Sequence, residues 1–89
     1  MLFRSVGAYY MRLMVQDRPG VIAALSGALA KERISVESML QRGRAKSGQV
    51  PVVLTTHETE EAAMQRAAER IGKLKAVSEE PCLIRIEAF

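Results

Sequence analysis

Apolar positions recur along the chain with two different periods, and the change-over points mark its elements. Tyr9, Met11, Leu13 and Val15 alternate with Tyr10, Arg12, Met14 and Gln16, a period of two that predicts a strand over 8–16. The alternation stops at Asp17-Arg18-Pro19-Gly20, where proline fixes its own φ and glycine admits conformations closed to other residues. Val21, Ile22, Leu25, Ala28 and Leu29 then recur at spacings of three and four, ahead of a charged Lys31-Glu32-Arg33, and predict a helix over 20–33. Ile34 to Arg44 alternates more loosely, with Val36, Ser38 and Leu40 expected on one side and Glu37, Met39 and Gln41 on the other. Polar residues on both faces predict an edge strand.

The turn-rich Ala45-Lys46-Ser47-Gly48-Gln49 leads, as a hairpin, into the β-branched run Val50 to Thr56. Pro51 lacks a ladder donor, so regular pairing is expected from about Val52. Thr59 is expected to cap a second helix whose first turn carries Glu60 and Glu61 and whose stripe is Ala63, Ala67 and Ile71. Glu69 stands four residues before Lys73, the favoured order for a helical ion pair, and Gly72 marks the helix end. Past Glu79-Glu80-Pro81, a fourth strand alternates Ile84 and Ile86 with Arg85 and Glu87.

Strand, helix, strand, strand, helix, strand is the split ferredoxin-like βαββαβ order: an α+β sandwich, a four-stranded antiparallel sheet with two helices on one face. Residues 1–7 read as an amino-terminal linker or tail and residues 8–89 as the domain. The other sheet face lacks a cover, and Arg12, Met14 and Arg85 are expected on it. A domain this small gains by pairing, so a homodimer, or docking onto further protein, is expected.

Composition then narrows the function. With 89 residues, 48% hydrophobic and 26% charged, the chain fits one soluble domain. It is too short for a large enzyme with cofactor and substrate domains. Thirteen Lys and Arg against 10 Asp and Glu leave +3, spread along the chain, which only weakly permits an anionic partner. Phe3, Tyr9, Tyr10 and Phe89 sit at the two ends, so stacking platforms for bases are missing from the middle, and no nucleic acid is expected. The single Cys82 excludes an internal disulfide and points to a reducing, cytoplasmic setting. Arg4 and Arg12 break the apolar start before a signal core can form, and no run is long enough to span a membrane.

The most informative chemistry lies in Asp17, Arg18, Pro19, Gly20, Val21 and Ile22. Here a helix amino terminus with free backbone amides follows a strand end, so a carboxylate can dock on the amides while Asp17 offers an acceptor for an ammonium group. That is the charge pattern of an α-amino acid. The plain alternative is a Pro-Gly turn capped by Asp17. No catalytic residue and no metal site is expected: His57 has no second histidine and reads as a strand exit, and Cys82 reads as a small packing group. Arg42, Arg44 and Lys46 read as a solvated turn in preference to a phosphate site.

The strand leading into Asp-Arg-Pro-Gly-Val-Ile, the apolar helix ending near Ile34-Ser35-Val36 and the βαββαβ order resemble the ACT domain, a small-molecule-sensing module of amino-acid metabolism. The resemblance covers nearly the whole chain. Tyr9-Tyr10-Met11-Arg12-Leu13, Ile34 to Met39, Val50 to Thr59 and Leu83 to Glu87 are similar to the carboxyl-terminal regulatory segment of bacterial homoserine dehydrogenases. The resemblance implies threonine as effector, held between Asp17 to Ile22 of one copy and Ser35 of a second. It also implies catalytic domains upstream as partners and NAD(P) bound there, with no cofactor in this chain. A serine-sensing relative has a histidine and an asparagine where this sequence has Val15 and Asp17. A free-standing sensor acting on a separate enzyme or transporter is the alternative.

Overall fold

A computed structural model describes residues 6–43 and 48–86. The elements run β1 (Val6–Gln16), α1 (Val21–Lys31), β2 (Val36–Gln41), β3 (Gln49–Thr56), β4 (Thr59–Glu60), α2 (Glu61–Gly72) and β5 (Cys82–Ile86). The sheet is antiparallel with order β2-β3-β1, and β1 also carries β5 on its other edge. The ferredoxin-like arrangement expected from the sequence is the observed one, with β2 at an edge. β1 is longer than expected and takes in Val6 and Gly7, which the sequence reading assigned to the tail; both pair with β4.

Period explains burial. Tyr9, Met11, Leu13 and Val15 of β1 and Val50, Val52 and Leu54 of β3 all face the helices and are buried. Val21, Leu25, Ala28 and Leu29 of α1 and Ala63, Met64, Ala67 and Ile71 of α2 close over them. Each large apolar side chain removed from water in this way contributes roughly 1.5–3 kcal/mol, which is why the alternating and helical stripes decide the fold. Ile22, placed in the α1 stripe from its spacing, is instead 38% exposed, because Val21 takes the core-facing position at the start of the helix.

Four further expectations are corrected. In β2 a bulge between Val36 and Ser38 shifts the register, so Val36 sits opposite Thr56 and Met39 opposite Leu54, both packed on the core, while Leu40 is exposed. The extra residue changes which side chains share a face. Pro51 lies inside β3, paired opposite Met14, and pairing begins at Gln49. Its carbonyl accepts the Arg42 amide just past the end of β2, so the donor it lacks falls where the β2 ladder is already finishing. Thr59 does not cap α2: it pairs with Gly7 in β4, and Glu60 occupies the cap position with no side-chain capping bond.

The fourth correction concerns β5. Arg85 pairs opposite the buried Tyr9 and its Nη2 donates to the Val6 carbonyl at 2.8 Å, so it sits on the helix side of the sheet and not on the open face. Ile84 and Ile86 take the open face with Tyr10 and Ala8, and Cys82, expected to pack, is exposed opposite Arg12. Along α2, among the described residues, no ion pair joins Glu69 to Lys73; between the helices, Arg66 and Arg70 of α2 both reach Glu32 at the end of α1.

Candidate functional site around the first helix start

β1 ends between two neighbouring segments. The Gln16 amide donates to the Ala76 carbonyl at 2.8 Å and the Asp17 amide to Gly48 at 2.7 Å, so the strand end is fixed on both sides. Arg18-Pro19-Gly20 then reverses the chain, with Gly20 at φ 86°, the left-handed region where a Cβ is costly. This glycine places Val21 at the first helical position.

The helix start is chemically open. No side chain caps α1, and its first turn contains no acidic residue. Val21 donates weakly to Arg18 at 3.4 Å and Ala24 to Gly20 at 2.9 Å, whereas among the described residues the amides of Gly20, Ile22 and Ala23 reach no backbone carbonyl. Gly20, Ile22 and Ala23 are all exposed. The exposed first-turn amides, which meet no backbone carbonyl among the described residues, and the positive end of the helix dipole therefore face a place an anion can enter, next to the exposed Asp17. A cavity of about 440 Å³ opens beside Arg18, Pro19, Gly20 and Val21, and its far wall is Leu74, Lys75 and Ala76.

That far wall was not foreseen from the sequence. Residues 74–76 lie more than fifty positions from the loop, and they arrive there because Val77 bridges to Val15 and the Ser78 amide donates to Met14. Only the apolar Ala76-Val77 pair hinted that this connection would bind to the end of β1.

Ser35 sits elsewhere. It follows the carboxyl end of α1, where Arg33 adopts φ 59° and the Ile34 amide returns to Leu29, and α1 is 11 residues, or about 16 Å, long. Within one chain, Asp17 to Ile22 come together and Ser35 stands at the opposite end of the helix. Its carbonyl accepts the exposed His57 amide at 2.9 Å, so His57 ties β3 to the α1–β2 connection. Among the described residues no His, Cys, Asp and Glu group could hold a metal ion, and no helix is long and apolar enough to cross a membrane. Arg44 and Lys46, with most of the expected hairpin turn, lie outside the described residues; Arg42 is exposed.

The chain's similarity to known proteins follows this geometry. It is 36% identical over 80 residues to the homoserine dehydrogenase of Helicobacter pylori, covering 90% of this chain and 19% of that enzyme. In structure it superposes on a homoserine dehydrogenase from Thiobacillus denitrificans with a TM-score of 0.83 and 38% identity, over 93% of this chain and 18% of that one. The chain thus spans about a fifth of the length of these relatives. The regulatory subunit of aspartate kinase from Thermus thermophilus, in its ligand-free form, shares the fold at a TM-score of 0.67 and 22% identity, over 91% of this chain and 54% of that one. The ACT domain family matches residues 9–76, which include most of β1 and the whole loop at the start of α1: this chain belongs to the ACT domain family.

Proposed function

We propose that this chain is the sensing part of a homoserine dehydrogenase, that it binds threonine, and that it does so between two copies. The observation that carries the reading is the exposed start of α1, where uncapped amides stand beside Asp17. The amides take the carboxylate and Asp17 takes the ammonium. Ser35 of a second copy supplies a hydroxyl for the remaining side of the ligand, because in its own chain it is a helix length away.

In this reading the chain has no chemistry of its own. Catalysis and NAD(P) belong to domains outside these residues, in the cytoplasm, and threonine acts by favouring one arrangement of a homodimer over another. Such coupling is typically about 1–3 kcal/mol, enough for feedback on a branch of aspartate-family biosynthesis. Support comes from the similarity to homoserine dehydrogenases over nine-tenths of the chain.

Calorimetry on the 89-residue chain tests it. Threonine should bind saturably, and Asp17→Ala should weaken binding about tenfold or more by removing a charge-assisted bond. Absence of heat up to millimolar threonine would overturn sensing. A second reading, a separate regulatory chain acting on another enzyme, is favoured by the fold shared with a regulatory subunit of aspartate kinase.

A further inference from the structure

The cavity at the start of α1 does not end at the candidate site. The cavity beside Arg18 and a second one of about 470 Å³ between α1 and α2 share Ala24 and Leu74, so the two run end to end along α1. The floor is made of small or aliphatic residues, Ala24, Gly27 and Ala28 from α1 with Leu74 opposite. Five cations line the trough: Arg18 and Lys75 at one end, Lys31, Arg70 and Lys73 at the other. Among the described residues no Asp or Glu lines either cavity. In a chain where 13 cations face 10 carboxylates, such segregation makes one positive trough with an apolar bottom.

The cations are also available. Among the described residues only Arg70 of the five is in an ion pair, through Nε at 3.4 Å from Glu32, and Glu32 is shared with Arg66. The exposed surface of α1 itself offers no compensation, since Val21 to Ala30 contains no charged residue. A surface helix ordinarily presents a charged outer face, so α1 is built to be covered.

We infer that this trough docks an acidic amphipathic helix of a protein partner. The apolar floor takes one row of aliphatic side chains and the rim of five cations pairs with carboxylates on either side of that row, the helix-in-groove mode of recognition. Glycine and alanine on the floor let the partner backbone come close. The length of α1, 11 residues, sets the partner at about three turns. A bare polyanion would find the cations but leave the apolar floor empty, and among the described residues no aromatic ring lines the trough for a base to stack on. The inference does not depend on amino-acid sensing, although Arg18, Pro19 and Gly20 border both sites.

The test uses the 89-residue chain and a fluorescein-labelled synthetic peptide of about 15 residues, roughly four helical turns, with leucines on one helical face and glutamates flanking them. A scrambled peptide of the same composition is the control, and tripolyphosphate is the pure-charge competitor. Fluorescence anisotropy should show saturable binding of the amphipathic peptide only. The double variant Lys31→Glu, Lys73→Glu should lose about tenfold or more in affinity, since reversing rim charges turns attraction into repulsion. Gly27→Met is the second variant: a Cβ at Gly27 meets nothing within 4 Å, so the longer side chain folds in open space and plugs the trough. It should unfold at the same or a higher temperature and yet bind the peptide less tightly. Equal binding of the scrambled peptide, displacement by tripolyphosphate, undiminished binding by Gly27→Met, or no saturable binding would each overturn the inference. Asp17→Ala, which removes the proposed sensing contact, should not weaken peptide binding, so the two readings fail separately.

Discussion

Thr56 is a fully buried polar residue in the core, and its place follows from where a ladder ends. β3 stops at Thr56, so the Tyr9 amide opposite it is met by the Thr56 Oγ1 at 3.1 Å in place of a carbonyl. Thr56→Val keeps the shape and removes the acceptor, leaving a buried donor unpaired. Urea unfolding should show a loss of about 1–3 kcal/mol, and Thr56→Ser should recover most of the hydrogen bond. Tyr9 also supplies the opposite case. Among the described residues its buried hydroxyl has no hydrogen-bond partner, so its desolvation is uncompensated. Tyr9→Phe should therefore leave stability unchanged or raise it by about 1 kcal/mol in the same assay, and a clear loss would mean that the hydroxyl has a partner after all. The burial of Tyr9 was legible in the alternation of β1; the orphan hydroxyl was not, because alternation fixes the face of a side chain and says nothing of what its tip meets.

Elements were most legible where one face is buried along their full length. β1, β3 and both helices carry uninterrupted stripes, and each appears within a few residues of its expected place. β2 and β5 do not. In β2 one inserted residue at the bulge reverses the faces, and no apolar pattern marks the position because Glu37 and Ser38 are both polar and exposed. In β5 the alternation of Ile84 and Ile86 with Arg85 predicts the strand but not its facing, since the isoleucines face out and Arg85 reaches over Gly7 to the Val6 carbonyl. The helices meet at a contact that no local rule contains: Glu32, with a side chain only 10% exposed, holds Arg66 at 2.8 Å and Arg70 at 3.4 Å from the other helix. The Arg66 hydrogen bond, chiefly, holds the Glu32 carboxyl below its usual 4.5, with burial working against it. A carboxylate held low in the folded state stabilises at pH values above its unfolded pKa, and that contribution disappears as pH falls through the folded value. Glu32→Gln should thus lower the thermal midpoint at pH 7, and the gap to the wild-type chain should close on acidification below 4.5. A gap that persists in acid would assign the effect to packing.

For the molecule as a whole, the proposed site draws on two chains, because Ser35 stands a helix length from the α1 start in its own chain. Its loop was legible because Asp17-Arg18-Pro19-Gly20 announces a strand end, a tight turn and a helix start in four residues; the distance from Ser35 was not, because both flank the same helix in sequence. In the proposed reading a second chain supplies what one cannot, and pairing would cover apolar surface: Leu40 and Ile84 on the uncovered sheet face are each about half exposed, at 51% and 52%. If threonine is held between the α1 start of one copy and Ser35 of another, it binds the dimer better than the monomer. Mass action then requires threonine to favour association, and the same differential affinity must make apparent threonine binding tighter as the chain is concentrated. Sedimentation velocity at a fixed low chain concentration should show the dimer fraction rising with threonine. Ser35→Ala should keep the association seen without ligand, since the side chain is exposed, yet lose most of the threonine-driven increase. Binding of one threonine per chain with an affinity independent of chain concentration, in a sample that stays monomeric, would place the whole site within a single copy and exclude Ser35 from it.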